Sequence, residues 1–375
     1  MIVCVIGTRA QLIKMAPVLV ALERAGLGYT LILTGQHRAT MFELLAEFGI
    51  ATVPITLHEG AEITGITQMG LWSLKVLWRA LVSRRAIFPA ARRGERAAML
   101  VHGDTLSTLL GALIGKLRAY DVLHVESGLT SGTLREPFPE EITRRMVFRL
   151  ADVAFCPGTW AASNLAGRRL RIVDTGSNTL RDAVRVALAR PRTGVSPPAG
   201  PSYAVVSIHR FENIFKRERF EFIVECLEAI GERIAIVFVL HPATRKQAER
   251  FALLERLESH PAICIYPRMT YVPFMQIIAA SRFVITDGGS NQEELSYLGI
   301  PTLIMRGATE RQEGLGATAV LSRYDRATID SFVDRALSGA ASPPRTLPED
   351  DASPSAIIVD ELAASYAKSG TISVP

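Results

Sequence analysis

The sequence predicts an α/β protein made of two domains, each of them a parallel β-sheet covered by helices. Short runs of β-branched and other apolar residues alternate with amphipathic helical segments from the first residues onward. The alternation stops at a segment rich in proline and glycine, residues 191–201, and then begins again. One doubly wound sheet seldom needs so many strands, and 375 residues are enough for two cores, so two similar domains are the better interpretation.

The first half of the chain alternates predicted strands with predicted helices. Short apolar runs bounded by turn residues are typical of strands buried in a parallel sheet. The helix at 66–88 is more apolar than a surface helix requires, so it either packs in the core or forms an inter-domain or subunit contact. We predict a homodimer on the second interpretation. The predicted elements are the strands 2–6, 29–34, 98–102, 121–125 and 153–156 and the helices 12–25, 40–48, 66–88, 105–116 and 140–150.

The second half contains a similar series of strands, with helices between them. We expect the chain to cross between the domains near residues 172–179, and a last helix from about residue 354 to pack back on the first domain. The sequence therefore predicts a first domain of residues 1–173, completed by the C-terminal helix (about 354–375), and a second domain of residues 174–353. The predicted strands of this half are 203–207, 234–240, 263–266, 283–286 and 302–304.

The composition argues against nucleic acids and membranes as binding partners. The formal charge is only +5, and the arginines between residues 79 and 96 lack the interleaved aromatic residues of a nucleic-acid surface, so no nucleic acid is expected. No apolar stretch approaches the roughly 20 residues of a membrane span, and no secretory leader precedes the first strand. We therefore predict a cytoplasmic protein without a membrane partner. The four cysteines are scattered and are predicted to be reduced, and no cysteine or histidine has the spacing of a zinc site.

Three carboxylates stand where an α/β protein usually places its chemistry. Asp104 and Glu126 each follow a short apolar run, and Glu140 opens a helix with Arg144 behind it. Open α/β sheets bind ligands at the carboxyl ends of their strands. We therefore expect the carboxylates to converge on one crevice and to carry out acid/base chemistry at carbon.

Two strand-to-helix turns are candidate sites for a phosphate. The first is Gly7-Thr8-Arg9, with Lys14 on the helix that follows, and an ordinary turn with exposed cations remains an equal alternative. No GxGxxG follows any strand and no GxxxxGK[ST] occurs, so the usual signatures for dinucleotide and P-loop binding are absent.

The second candidate turn runs from residue 286 to residue 294. A strand ends in Gly288-Gly289-Ser290, and a helix opens with its backbone amides available to a phosphate. Nucleotide diphosphate binding is favoured here over a simple helix cap formed by Ser290. Glu294 lies about one turn into the helix, within reach of a ribose diol, and Arg311 follows the next strand.

Two histidines end successive strands of the second half. They are His209 and His241, and a histidine at a strand end can be structural as well as functional. Both interpretations remain open on the residues alone.

Taken together, these segments resemble the non-hydrolysing UDP-N-acetylglucosamine 2-epimerases. The resemblance implies the GT-B fold, in which two Rossmann-like domains face a central cleft. It covers most of the chain, and its motifs occur in the expected order. The matching segments are Gly7-Thr8-Arg9, residues 13–17, Gln36-His37-Arg38, His102-Gly103-Asp104, Val125-Glu126, Pro139-Glu140-Glu141, His209-Arg210, residues 288–294 and Thr309-Glu310-Arg311.

The resemblance also implies roles for individual residues. Asp104, Glu126 and Glu140 would be the acid/base carboxylates, with His209 as a further catalytic group that also lies at the pyrophosphate. The implied contacts to the UDP-sugar are Arg9, Lys14, Arg144, Gly288, Gly289 and Ser290 at the pyrophosphate, Phe274 at the uracil, Glu294 at the ribose, and His241 and Arg311 elsewhere in the site.

The reaction implied is reversible inversion at C2 of the sugar, giving UDP-N-acetylmannosamine for bacterial surface polysaccharide synthesis. The C2 hydrogen has no adjacent carbonyl and is not acidic. Either C3 is oxidised transiently by a nicotinamide, or UDP is eliminated and added back. Because the dinucleotide signature is missing, we favour elimination through 2-acetamidoglucal, with no cofactor and no metal.

The chain departs from the family pattern at three places. The usual Thr-Arg-Pro-Glu turn ends here in Gln11, and a loop normally close to Leu-Arg-Thr-Gly-Asp is Leu-Thr-Ser-Gly-Thr at residues 129–133. In bacterial members of the family a second UDP-N-acetylglucosamine molecule acts as an activator, held partly by a Gln-His-Arg-Gln turn and a downstream arginine. This chain keeps Gln36-His37-Arg38 but continues with Ala39, and no arginine falls in residues 57–67. We therefore predict weak or absent activation by UDP-N-acetylglucosamine.

Other functions use the same fold and nucleotide. The alternatives are a 2-epimerase for a modified UDP-HexNAc such as a 2,3-diacetamido uronate, a GT-B glycosyltransferase, a hydrolysing epimerase and a nucleotide-sugar sensor. A glycosyltransferase would leave C2 unchanged and would not need three carboxylates in the N-terminal half. The Pro139-Glu140-Glu141 and His209–Asn213 segments favour the non-hydrolysing branch.

Overall fold

The computed structural model describes residues 1–35, 38–58, 66–82, 87, 96–132, 139–192, 200, 202–309, 311–338, 345, 347 and 352–366. The chain divides into two compact units, unit 1 (Met1–Val186 with Asp350–Pro375) and unit 2 (Ala187–Glu349). Within the described ranges, no helix is long and apolar enough to cross a membrane.

Unit 1 is built on a parallel sheet of seven strands. They are β1 (Ile2–Ile6), β2 (Tyr29–Leu33), β3 (Ile55–Thr56), β4 (Ala98–His102), β5 (Asp121–Val125), β6 (Val153–Cys156) and β7 (Arg171–Asp174). Their order in the sheet is β3-β2-β1-β4-β5-β6-β7, so the direction of winding reverses between β1 and β4. That reversal is the topological switch point, where open α/β sheets bind their ligands.

The helices of unit 1 connect these strands. They are α1 (Arg9–Arg24), α2 (Arg38–Phe48), α3 (Ile66–Val82), α4 (Leu106–Leu117), α5 (Glu140–Leu150), α6 (Thr159–Ser163) and α7 (Leu180–Ala189). Glycines let α4 approach the sheet closely: a Cβ on Gly111 would lie 2.8 Å from Cγ1 of Val101, and one on Gly115 2.9 Å from Cβ of Met99. The strands beneath are fully buried, which explains their continuous apolar sequences.

Unit 2 repeats this architecture with a parallel sheet of six strands. The strands are β8 (Tyr203–Ser207), β9 (Ala235–Leu240), β10 (Ile263–Pro267), β11 (Val284–Thr286), β12 (Thr302–Ile304) and β13 (Ala319–Leu321). Their order is β10-β9-β8-β11-β12-β13, which places the switch point between β8 and β11. The helices are α8 (Phe211–Ile214), α9 (Arg217–Gly231), α10 (Pro242–Arg250), α11 (Leu254–Ser259), α12 (Tyr271–Ala279), α13 (Gly289–Tyr297) and α14 (Arg326–Ser338).

The last helix, α15 (Pro354–Tyr366), belongs to unit 1 and packs against α1. Its first turn is held by Asp182 of α7, which accepts hydrogen bonds from the Ser355 amide (2.8 Å) and the Ser353 hydroxyl (2.7 Å). The Tyr366 hydroxyl donates to Asp121 at the start of β5 (3.0 Å). The boundary between the two units falls inside α7, between Val186 and Ala187, whereas the sequence predicts a crossing at 173/174.

The predicted fold class, two Rossmann-like parallel-sheet domains of the GT-B type, is confirmed. Three strands were not predicted, namely β3, β7 and β13. All three are short and lie at the edges of the two sheets. Of the helix predicted at 66–88, the structure shows α3 to residue 82, and residues 83–86 and 88 lie outside the described part of the chain.

Candidate active site

The unit 1 candidate site is the carboxyl edge of β4 and β5. His102 pairs in register with Val125, so the residues that follow the two strands emerge side by side. Asp104 follows β4 and Glu126 follows β5, next to the switch point at β1. The structure therefore brings together the two carboxylates that the sequence places after neighbouring strands.

Glu126 is almost buried and is surrounded by polar partners. Lys14 of α1 places Nζ 2.5 Å from Oε1, and the Asn178 side chain donates to the same oxygen at 2.8 Å. His102 Nε2 lies 3.1 Å from Oε2. The backbone of Glu126 has φ +60°, in the left-handed region that costs a non-glycine residue about 1–3 kcal/mol. Several contacts thus hold this side chain in a strained but defined position.

Asp104 is held by a different cation. Its Oδ2 accepts from Nη2 of Arg144 on α5, and Nη1 of Arg144 donates to Glu141 at 2.8 Å. Glu141 is fully buried and also accepts from the Thr130 hydroxyl (2.7 Å) and from Arg145 (3.0 Å). Burial alone would raise the pKa of Glu141, but these hydrogen bonds and the Arg144 charge lower it below its usual range.

Glu140, the third predicted carboxylate, is the first residue of α5. It immediately precedes Glu141, whose carboxylate shares Arg144 with Asp104. One carboxyl oxygen of Glu140 is buried and has no hydrogen-bond partner among the described residues. The preceding residues 133–138, which include Glu136, lie outside those residues, as do Gln36, His37 and Glu310.

Two buried histidines support this edge and were not predicted as site residues. Burial lowers the pKa of His102 to about 3 and that of His124 to about 4, so both imidazoles are neutral near pH 7. His124 Nε2 lies 2.7 Å from the carbonyl oxygen of Gly103, directly before Asp104. Both histidines lie in strands whose other residues are mostly apolar, so the sequence did not indicate that they contact the site residues.

The turn after β1 is fixed by Gln11, the residue that departs from the family pattern. Its Oε1 accepts from the amides of Gly7 (2.9 Å) and Thr8 (3.1 Å), which completes a capping box at the start of α1. Its Nε2 donates to the carbonyl oxygen of His102 at 2.6 Å. The amide therefore connects the β1 and β4 turns. Arg9 opens α1 and is partly exposed.

The unit 2 candidate site is the carboxyl edge of β8 and β11. Asp287, fully buried, accepts from the backbone amides of His209 (3.0 Å) and Arg210 (2.8 Å) and from the Asn213 side chain (2.8 Å). His209 Nδ1 lies 3.3 Å from the same carboxylate. Asp287 and Asn213 were missed as site residues, although each lies in a segment that the sequence pointed to.

The exposed face of His209 lies near a second histidine. The His209 side chain is 41% exposed, and its ring centroid lies 5.8 Å from that of His241. Burial and the neighbouring His209 lower the pKa of His241. His241 also caps α10 by accepting from the Ala243 amide (3.3 Å), so it has a structural role as well.

The N-terminus of α13 fits an anion site. Gly288 is the N-cap residue, and no side chain caps the helix, so the alternative of a cap by Ser290 is not what the structure shows. Ser290 is exposed, and a Cβ on Gly288 would lie 2.6 Å from Asn291 Oδ1. Glycine at this position therefore keeps the helix entrance open, with Gly289 opening the helix.

The remaining predicted ligands lie on the surrounding elements of unit 2. Glu294 is buried and accepts from Asn291 at 3.1 Å. Arg311 donates to the buried Glu293 at 2.6 Å, so its guanidinium is fixed by an ion pair. Phe274 lies on α12 and is partly exposed. Among the described residues, no three histidines, cysteines or carboxylates are grouped as a metal site would require.

Two doubly wound sheets, one with two cation-paired carboxylates beside its switch point and one with an open glycine turn, form the arrangement of a GT-B-fold protein with a candidate ligand site in each unit. The chain belongs to the UDP-N-acetylglucosamine 2-epimerase family, whose sequence profile matches residues 20–351. The family predicted from the motifs is thereby confirmed.

Individual relatives agree with this assignment. The UDP-N-acetylglucosamine 2-epimerase of Salmonella typhimurium is 31% identical over 343 residues, with 85% of each chain covered. A UDP-2,3-diacetamido-2,3-dideoxy-D-glucuronate 2-epimerase of Pseudomonas aeruginosa is 30% identical, covering 82% of this chain and 84% of the relative. The crystal structure of the Methanocaldococcus jannaschii epimerase in complex with UDP-GlcNAc and UDP matches with a TM-score of 0.71 at 25% identity, covering 97% of this chain and 99% of that one.

Proposed function

We propose that the protein is a UDP-N-acetylglucosamine 2-epimerase, which interconverts UDP-N-acetylglucosamine and UDP-N-acetylmannosamine. The observation that carries the proposal is the pair of cation-bound carboxylates, Asp104 and Glu126, at the switch point of the unit 1 sheet. Family membership and relatives named for this activity support the assignment.

In the proposed reaction, unit 1 supplies the acid/base groups. A carboxylate removes the C2 proton, the C2–H electrons form the C1–C2 double bond, and the C1–O bond breaks with its electrons leaving on UDP. C1 gains oxocarbenium character as this bond breaks, and nearby carboxylates stabilise that charge. UDP then adds back through oxygen to C1 of 2-acetamidoglucal, while a second carboxyl group, which enters the cycle protonated, delivers its proton to the opposite face of C2. The cations paired with Asp104 and Glu126 favour the anionic form, which suits proton removal from C2 and stabilisation of charge at C1, and Glu140 would be the third participant.

Unit 2 is proposed to hold the nucleotide. The open N-terminus of α13 and the exposed side of His209 suit the diphosphate, which gains negative charge as it leaves. The proposal keeps the other ligands expected from the resemblance. They are Arg9, Lys14 and Arg144 from unit 1 and His241, Phe274, Gly288, Gly289, Ser290, Glu294 and Arg311 from unit 2.

A second substrate has specific support. The Pseudomonas aeruginosa relative is named for a 2,3-diacetamido uronate, and its identity equals that of the epimerases named for UDP-N-acetylglucosamine to within a few per cent. Thr130, in the segment where this chain lacks the family's Arg and Asp, donates a hydrogen bond to the buried Glu141. Proton NMR with a panel of UDP-HexNAc sugars will decide which one turns over.

We also propose a homodimer that forms through α3. Leu74, Trp78 and Val82 are spaced by four residues on one face, and each is more than 60% exposed. The opposite face, with Trp72 and Val76, is buried in unit 1, so core packing does not explain this stripe. A cytoplasmic location is proposed as well, since all four cysteines are free thiols.

Solvent deuterium tests the proposed activity. The protein is incubated with UDP-N-acetylglucosamine in D2O, and C2 is followed by NMR. Deuterium should appear at C2 of both epimers, with a trace of UDP and 2-acetamidoglucal. Epimerisation without label would exclude the elimination route, and sugar transfer to an acceptor with C2 unchanged would instead show a glycosyltransferase.

A further inference from the structure

Asn178 lies in the turn between β7 and α7 and is buried at 6% exposure. Its Oδ1 accepts from the amide of Leu180, the first residue of α7, at 3.0 Å, as in an Asx-turn, so it supports the start of this helix. Its Nδ2 donates to Glu126 Oε1 at 2.8 Å. Because an amide that accepts through oxygen must present nitrogen on its other side, the hydrogen bond from Leu180 fixes which end of Asn178 meets the carboxylate.

The turn that carries Asn178 is itself rigidly held. The Thr175 hydroxyl lies 2.9 Å from both the Cys156 and the Ser177 carbonyl oxygens. Gly176 supplies the left-handed backbone that the turn needs, with φ +72°. Asn178 thus approaches Glu126 from a fixed direction, 52 residues away along the chain.

Asn178 and Lys14 bind the same oxygen of Glu126. Lys14 provides the charge, and Asn178 provides a second, directional donor. The backbone of Glu126 lies in the left-handed region, with φ +60°, so contacts of the side chain must help to hold the residue there. The two donors on Oε1, together with His102 at Oε2, orient the carboxylate, and the Oε1 donors favour its anionic form.

We infer that Asn178 is a positioning residue of the reaction, which orients Glu126 and keeps it ionised without contacting the substrate. The inference rests on the proposed epimerase function. Its signature is a loss in kcat with KM almost unchanged, because the only site group it is inferred to act through is Glu126.

Two substitutions separate this role from the support of α7. Serine and aspartate can both accept from the Leu180 amide through a side-chain oxygen, as asparagine does, but neither can donate an amide hydrogen to Glu126. N178S should lower kcat about 10-fold or more, with KM for the UDP-sugar within about 3-fold of wild type. N178D places a second carboxylate against Glu126, and two such groups in contact cannot both ionise easily, so its kcat should rise with pH where that of the wild type is flat.

A double mutant distinguishes a positioning role from a purely structural one, because only a positioning residue should lose its effect on turnover when Glu126 is replaced. In an E126Q background, measured by deuterium uptake at C2 in single turnovers, adding N178S should cost less than about 2-fold, since the group it positions is gone. A remote cap serves as the control: D325N alters the Asp325 cap on the Thr328 amide in unit 2 and should leave kcat unchanged.

The outcomes distinguish the two hypotheses. If the wild type places no deuterium at C2, the proposed function fails. If the wild type does so but N178S keeps its kcat, or if N178S and E126Q losses multiply, the inference is overturned. Should both single variants lower Tm strongly, the double-mutant comparison at a temperature where all variants are folded still decides.

Discussion

Asp104 and Glu126 are each paired with a cation of their own, Arg144 and Lys14. The Lys14–Glu126 pair is nearly buried, whereas the Asp104 side chain is 30% exposed. Amide substitutions preserve the shape of each side chain but remove its acid/base function, so they should abolish the proposed chemistry.

D104N and E126Q should each reduce turnover by about 100-fold or more, since an amide cannot accept the C2 proton. UDP affinity measured by calorimetry should change by less than about 3-fold, because most of the proposed ligands of the nucleotide lie in unit 2 and neither carboxylate is one of them. D334N, which alters an exposed pair with Arg233, is the matched control. Unchanged turnover in both site variants would exclude these two carboxylates from the reaction, whereas no turnover in the wild type, with UDP-sugar binding unaffected by either substitution, would point to a nucleotide-sugar sensor.

The sequence predicted those site residues whose place in the chain, directly after a strand, determines where they lie in the fold. Asp104 and Glu126 follow apolar strands, so their shared edge could be inferred. The partner of Glu126 could not, because Lys14 lies 112 residues away and sits on a helix face that also suits a phosphate. Asn178 was missed for the same reason: an Asx-turn is visible locally, but its other hydrogen bond is tertiary.

At the scale of elements, burial decided which strands the sequence revealed. β1 is a continuous apolar run and β4 is apolar up to its last residue, His102, and both were predicted with their observed bounds. β7 begins with Arg171 and ends with Asp174, both exposed, because it forms the edge of its sheet. An edge strand pairs with a neighbouring strand on one side only, and polar residues on it can stay exposed. Its sequence therefore resembles that of a loop.

The β1–α1 turn depends on a glycine. A Cβ at Gly7 would lie 1.9 Å from the Ser107 Oγ and 2.9 Å from Thr34 Oγ1, so G7A must push α4 and the sheet apart. We expect a loss of about 1–3 kcal/mol in the free energy of unfolding, measured by urea denaturation. G28A is the control, since no atom lies within 4 Å of a Cβ there. A G7A protein as stable as G28A would show that the turn relaxes freely.

The proposed dimer can be tested on α3. W78E puts a charge in the exposed stripe of Leu74, Trp78 and Val82, and it should shift the protein to monomer in light scattering at micromolar concentration. V53E makes the same change at a residue that is 84% exposed elsewhere in unit 1, and it should keep the oligomeric state. A W78E dimer as tight as the wild type would place the interface on another surface.

At the scale of the whole molecule, unit 1 should be the acid-sensitive one. His102 and His124 have folded pKa values of about 3 and about 4, below the ordinary 6.5, so the unfolded chain binds their protons first. Above pH 6.5 the two histidines do not lower the free energy of unfolding, because they are neutral in both the folded and the unfolded chain. As the pH falls from 6.5 toward 4, each removes up to about 1.4 kcal/mol of stability per pH unit.

H124Q tests this coupling, because glutamine can still donate to the Gly103 carbonyl but does not titrate. Denaturant unfolding at pH 7 and pH 5 should show a smaller loss of stability in H124Q than in the wild type, by about 1–2 kcal/mol. Equal losses in the two proteins would mean that His124 is not buried neutral in the folded state.

The two-unit organisation was predictable because the alternation of strands and helices restarts after residue 201. The hydrogen bond from the Ser355 amide to Asp182 of α7, which ties the first turn of α15 to unit 1, was not predictable. A contact between residues 173 positions apart leaves no mark in either local sequence.

The return of α15 to unit 1 sets the order in which the chain can fold during its synthesis. The ribosome completes β1 to β7 and then all of Ala187–Glu349 before α15 is made. At about 5–20 residues per second, the surface of α1 that α15 covers stays open for roughly ten to thirty seconds. Translation speed through unit 2 thus fixes how long a nascent unit 1 presents an apolar surface, and chaperones that bind such surfaces have that interval to act.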